Sequence, residues 1–193
     1  MRLGLATRND HKVREVERLM GGVAIEPLPA DFELPPEDGD TFAANALTKA
    51  RAAAAALGRP AIADDSGVEA AALGGAPGIF SARFAGSGAT DGENLARLHA
   101  EAPAGSGLRY VCVIAYVAPG GRERTFTGEC IGTLAADIRG TGGFGYDPAF
   151  LPADVPDGRT MAELSTEEKD AISHRGHAAR ALLGWLRSPE GAA

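Results

Sequence analysis

The sequence predicts an α/β fold, a mixed twisted β-sheet flanked by helices, in one domain spanning residues 1–193. Three observations predict it. Short apolar strand-like runs alternate with helical spacing through the first 60 or so residues, the pattern of crossover units. A long β-rich hairpin, Leu108 to Val117 and Arg122 to Asp137, then makes the sheet mixed. Finally, 193 residues that are 45% hydrophobic hold enough apolar surface for a real core, and no repeat, low-complexity tract or linker interrupts them.

The elements follow in order. Arg2 to Ala6 reads as a strand and Thr7-Arg8-Asn9-Asp10 as a turn. Val13, Val16, Leu19 and Met20 share a helical face, so Asp10 to Met20 is an amphipathic helix stopped by Gly21-Gly22. Val23 to Leu28 is a second strand, and Asp31 to Asp40 an acidic, proline-bearing loop. Thr41 to Leu57 is alanine-rich and unbroken by Gly or Pro, hence helical. Ala61 to Ala63 is expected as a brief strand ending at Asp64-Asp65, followed by irregular, glycine-rich chain over 74–92. A helix over Gly92 to Glu101 leads into the hairpin, which turns at Pro119-Gly120-Gly121. Its first strand is apolar on both faces, as a covered central strand should be. Ser165-Thr166-Glu167-Glu168 is a capping-box pattern, and Ala178 to Leu186 is helical.

Charge and composition exclude some functions. A net charge of -7 disfavours holding duplex nucleic acid by a general field, because phosphate neutralisation needs clustered Lys and Arg. No apolar stretch approaches the roughly 20 residues of a membrane span, and the N-terminal MRLGLATRND has no signal-like region, so a cytoplasmic protein is expected. Cys112 and Cys130 lack metal-site spacing. A cross-strand disulfide or a reduced pair are the two readings, the latter suited to a cytosol.

Five stretches carry candidate chemistry. Thr7 to Lys12 turns from strand into helix, where free N–H groups, the dipole and Lys12 favour an anion; an ordinary cap with a solvated lysine is the alternative. Phe42, Asn45 and Lys49 share one face of the alanine-rich helix, either lining a polar cleft or edging solvent. Asp64-Asp65-Ser66-Gly67 is either a solvated turn or a site where a divalent cation offsets two carboxylates. In Thr141 to Pro148, Phe144 and Tyr146 stand among glycines, placed to stack on a base beside Asp147 or else tucked into the core. Lys169 and Arg175 are donors suited to phosphate or a carbonyl-bearing base, whereas His174 and His177 lack a third metal ligand.

In order, TRNDHK (7–12), TFAANALTKA (41–50), ADDSG (63–67), LGGAPGIFSARFAG (73–86), TGGFGYDPAF (141–150) and STEEKDAISHRGHA (165–178) resemble the inosine/xanthosine triphosphate pyrophosphatase family over nearly the whole chain. The resemblance implies an elongated fold of two lobes with the active site between them, a homodimer, and magnesium-dependent hydrolysis of ITP, dITP or XTP at the α-phosphorus. It implies Asp65 as catalytic carboxylate and magnesium ligand, with Ser66 on the substrate. Thr7, Arg8, Asn9, Asp10, His11 and Lys12 would hold phosphate. Phe144 would stack on the purine beside Gly145, Tyr146 and Asp147, while Lys169, His174 and Arg175 would close the base side. One departure is Ala44, where the family usually carries a metal-binding glutamate; Asp64, Glu37, Asp38 or Asp40 are candidate substitutes. The rival readings are a pyrophosphatase for other modified nucleotides and a nucleotide-binding sensor without catalysis.

Overall fold

The computed structural model describes residues 1–192. Strand β1 (Arg2–Leu5) pairs in parallel with β2 (Ala24–Pro27), and α1 (Asp10–Leu19) makes the crossover between them. Asn9 caps α1 by accepting from the N–H groups of His11 and Lys12. Thr41 caps α2 (Phe42–Leu57), which ends at Gly58 in the left-handed region, φ 61°. This helix packs tightly on β1: a Cβ on Gly4 would lie 2.3 Å from Leu57 Cδ1.

Among the described residues six strands form one sheet in the order β2-β1-β3-β4-β5-β6, where β3 is Ala61–Ala70, β4 Gly107–Val117, β5 Glu123–Leu134 and β6 Phe150–Pro152. β3 is parallel to β1, and β6 is antiparallel to β5. The remaining helices are α3 (Asp91–Glu101), α4 (Thr166–Ile172), α5 (His174–Leu186) and α6 (Pro189–Ala192). Capping boxes start α3 (Thr90 with Glu93) and α4 (Ser165 with Glu168). The α/β class and the mixed sheet are as the sequence predicts. Within residues 74–92, a 3-10 segment (Gly78–Arg83) replaces part of the expected irregular chain.

Strand β3 is the main correction. It does not stop at Ala63 but runs on through Asp64, Asp65, Ser66 and Gly67 to Ala70. The two aspartates are therefore mid-strand and buried, not a solvated turn.

The chain divides into two compact units, residues 1–65, 112–128 and 175–192 in one, 66–111 and 129–174 in the other. The first has a core of Leu3, Leu5, Val16, Met20, Ile62, Ile114 and α5 residues, with Trp185 set edge-on to Tyr116 at 4.9 Å. The second has Val68, Leu98, Leu108, Leu134 and Met161 around Tyr110 and Phe150, whose rings stack at 4.3 Å. No helix among the described residues is long and apolar enough to cross a membrane.

Cys112 and Cys130 are free, buried thiols. Burial pushes each thiol up to about 12. Since the thiolate is the reactive form, the native protein is expected to resist a thiol reagent at pH 8 and to release both cysteines once denatured. Rapid titration of either cysteine in the native state would contradict this.

Candidate active site

Successive side chains on a strand point to opposite faces, so Asp64 and Asp65 have different hydrogen-bond partners. Asp64 is 1% exposed and its Oδ2 accepts from Arg175 Nη2 at 2.9 Å and Nε at 3.3 Å. Lys12 Nζ lies 3.0 Å from the same oxygen. Burial alone would raise the Asp64 carboxyl, but Lys12, Arg175 and Lys49 outweigh it and hold the group far below the usual carboxylate range. Arg175 also donates to Glu15 Oε2 at 2.6 Å. Burial would lower its guanidinium, yet Asp64 and Glu15 keep it raised and charged. Thus the charge of Asp64 is balanced by the protein's own cations.

Asp65 differs. Burial raises its carboxyl above the ordinary value, only partly offset by Lys49 and by the hydrogen bond from Asn45, while the charge of Glu37 raises it further. Asn45 Nδ2 donates to Asp65 Oδ2 at 2.9 Å. Lys49 Nζ donates to the Asp64 carbonyl at 2.7 Å and ion-pairs with Glu37. The face of α2 carrying Phe42, Asn45 and Lys49 is buried, so its polar members serve this cluster rather than solvent.

The carboxylates suit a magnesium ion in one particular way. No group of three His, Cys, Asp or Glu forms a complete cage among the described residues. Magnesium needs none, since it keeps several waters and is held by one or two carboxylates plus substrate phosphates. Asp65 and Glu37 lie within each other's field and supply two such groups. Glu37, on the loop before α2, is the candidate substitute for the Ala44 position that lies in this cluster.

The stretch 7–12 is less uniform than expected. Asn9 Oδ1 takes the N–H groups of His11 at 2.9 Å and Lys12 at 3.3 Å, so these donors are not left for an anion. Thr7 Oγ1 accepts from the Asn9 N–H. Arg8 donates to the carbonyls of Leu28, Pro29 and Phe32, pinning the chain after β2. Asp10 is exposed in the first turn of α1, and His11 lies 3.1 Å from Arg14. Lys12 is the member that reaches the aspartates.

A second cluster forms in the other unit. Asp147 Oδ2 accepts from Lys169 Nζ at 2.7 Å and from the Phe144 N–H at 3.0 Å; its Oδ1 accepts from the Tyr110 hydroxyl at 3.0 Å. Lys169 Nζ sits 5.3 Å from the half-buried Phe144 ring. Tyr110 stacks on His174 with centroids 4.5 Å apart and planes 11° from parallel. Burial and the Asp147 charge keep its hydroxyl protonated, hence a donor. Gly143 has φ +69°, and a Cβ there would lie 2.0 Å from Asp147 Oδ2, so this turn requires glycine. Gly145 donates its N–H to Asp91. Ser66 follows Asp65 on β3 and is half-buried.

Two residues of the expected base wall also have partners within the protein. Tyr146 lies in the second core and donates its hydroxyl to the Ser81 carbonyl at 2.7 Å. Arg175 donates to Asp64 and Glu15. His174 and Arg175 open α5, and neighbours on a helix point about 100° apart. Glu15 and Tyr110 complete the clusters without having been singled out as site residues, whereas Glu37 is among the candidate substitutes for the ligand missing at Ala44. For Asn45 and Lys49 the helical spacing was the signal; for Glu15 and Tyr110 no local signal exists.

The Ham1 family profile matches residues 3–185. A dITP/XTP pyrophosphatase of Symbiobacterium thermophilum is 53% identical, with 96% of this chain and 94% of the relative covered. One of Geobacter sulfurreducens is 45% identical, covering 95% and 97%. The solved structure of a HAM1 protein from Coxiella burnetii superposes with a TM-score of 0.82 at 40% identity, covering 96% of this chain and 98% of that one. The Staphylococcus aureus Ham1 protein gives 0.81 at 37% identity, with the same coverage.

Proposed function

The chain belongs to the Ham1 family, and from that premise we infer that it is a nucleoside triphosphate pyrophosphatase acting on deaminated purine nucleotides. ITP, dITP or XTP plus water yields the nucleoside monophosphate and pyrophosphate. The observation that carries the reading is Asp65, a buried carboxyl raised above its ordinary value beside Asn45, Lys49 and Glu37. A base is most effective when its pKa moves toward the working pH, and Asp65 is displaced in that direction.

In this reading Asp65 takes the proton of the water that attacks the α-phosphorus. Lys12 and Lys49 set positive charge on the phosphate side. Asp65 and Glu37 hold magnesium, which when bound neutralises phosphate charge and acidifies water. Phe144 offers a face for the purine, and Lys169 and His174 supply donors for a 6-keto oxygen. Adenine would set its amino group against those donors, and such unpaired polar groups discriminate strongly. The same reading carries a homodimer working in the cytoplasm.

The test is pyrophosphate release from ITP, XTP, GTP and ATP, with and without magnesium. Magnesium-dependent turnover of ITP and XTP, at least about tenfold over ATP, is expected. ITP binding without release of pyrophosphate from any of the four would replace the enzyme by a nucleotide-binding module.

A further inference from the structure

Asn45 is 2% exposed, and both ends of its amide are used. Nδ2 donates to Asp65 Oδ2 at 2.9 Å; Oδ1 accepts from the Gly39 N–H at 2.8 Å. One short side chain thus joins β3 to the loop that carries Glu37. The fit on the loop side is close. A Cβ on Gly39 would lie 2.8 Å from Asn45 Oδ1, 2.9 Å from Ala44 Cβ and 3.3 Å from the Asn45 nitrogen. Carboxylates meant to share one cation must be held at a set separation, and like charge drives them apart whenever the cation is absent. Lys49 offsets part of that repulsion through Glu37, but its ammonium is a compact point charge and makes no hydrogen bond to Asp65 in the way Asn45 does. The Asn45 amide is planar, with donor and acceptor at opposed ends.

We propose that Asn45 is the positioning residue for the metal pair: it orients Asp65 and, through Gly39, sets the distance at which Glu37 faces it. This rests on the reading of Asp65 and Glu37 as the ligands. Groups that orient metal-ligating carboxylates typically alter metal affinity or activity 10- to 100-fold when removed.

Two variants test it from opposite sides. Asn45→Leu keeps the volume and removes both hydrogen bonds. Gly39→Ala keeps the Asn45 side chain but crowds its contact with the loop, at Asn45 Oδ1 and Ala44 Cβ. Manganese serves as the probe, its binding to nucleotide-free protein read by electron paramagnetic resonance. Both variants are expected to weaken manganese binding about tenfold and to lower kcat for ITP by a similar factor, with KM at saturating metal within about threefold of the parent. Manganese affinity and kcat within twofold of the parent in both variants would overturn the proposal. So would metal affinity and KM for ITP worsening together in step with a fallen Tm, since that marks a structural role alone. Asp65→Asn run alongside tests the underlying reading. If it keeps turnover and metal binding, the assignment of the ligands fails; if it loses both while Asn45→Leu stays normal, the positioning role alone fails.

Discussion

Asp65→Asn is expected to lower kcat for pyrophosphate release by about 10³-fold, the scale of a lost general base, while Tm holds or rises. The two halves of that result have one cause. A folded-state pKa raised above the unfolded value means that the native protein binds the proton more tightly than the unfolded chain. The stabilising contribution of such a carboxyl is present at acid pH and is lost as pH rises through its folded pKa, so at neutral pH the ionised group costs stability. Asparagine is nearly isosteric, removes that cost and can turn its amide oxygen to accept from Asn45. A residue that weakens the fold yet is required for turnover is retained for function rather than for packing. Pyrophosphate release at saturating magnesium, beside thermal melts and ITP binding, checks both halves. Near-normal turnover would remove Asp65 from the chemistry. A fallen Tm would show that its charge is compensated in the fold, as that of Asp64 is.

Local signals in the sequence account for more of the fold than of the site. The helix Phe42–Leu57 and the hairpin strands follow from composition and alternation, because each is decided by the side chains it contains. Strand β3 does not. Ser66 and Gly67 are turn-formers by propensity, and the strand persists there because it lies between β1 and β4, where tertiary pairing overrides local preference. Motif spacing found both aspartates but not their difference. That difference depends on Lys12 and Arg175, which are 52 and 111 residues from Asp64 in the chain. Tyr146 illustrates the converse. Its glycine-rich neighbourhood leaves stacking on a base and burial in the core both open, and only the Ser81 carbonyl and the surrounding core show where the ring belongs.

Arg175→Leu is expected to cost about 3–5 kcal/mol of folding stability at neutral pH, the range for breaking a buried ion pair by removing one partner. The guanidinium is 1% exposed and is bound by carboxylates on two sides, so its loss leaves Glu15 and Asp64 charged in a poorly solvated interior. Lys12 and Lys49 still face Asp64, which places the expected value toward the lower end of the range. The pH dependence has a definite sign. Because the folded Asp64 pKa is depressed, its stabilising contribution is present above the unfolded carboxylate value of about 3.9 and is lost as pH falls below it. Removing Arg175 shrinks that depression, so the gap between parent and variant is greatest near pH 7 and narrows below about pH 4. Urea unfolding at both pH values measures it. A gap below about 1 kcal/mol at pH 7, combined with loss of ITP-over-ATP selectivity, would return Arg175 to the base-reading side. A wide gap at pH 7 with selectivity retained in the folded fraction would leave base recognition to Lys169, His174 and Phe144, and make Arg175 the counter-ion that lets Asp64 remain charged beside Asp65.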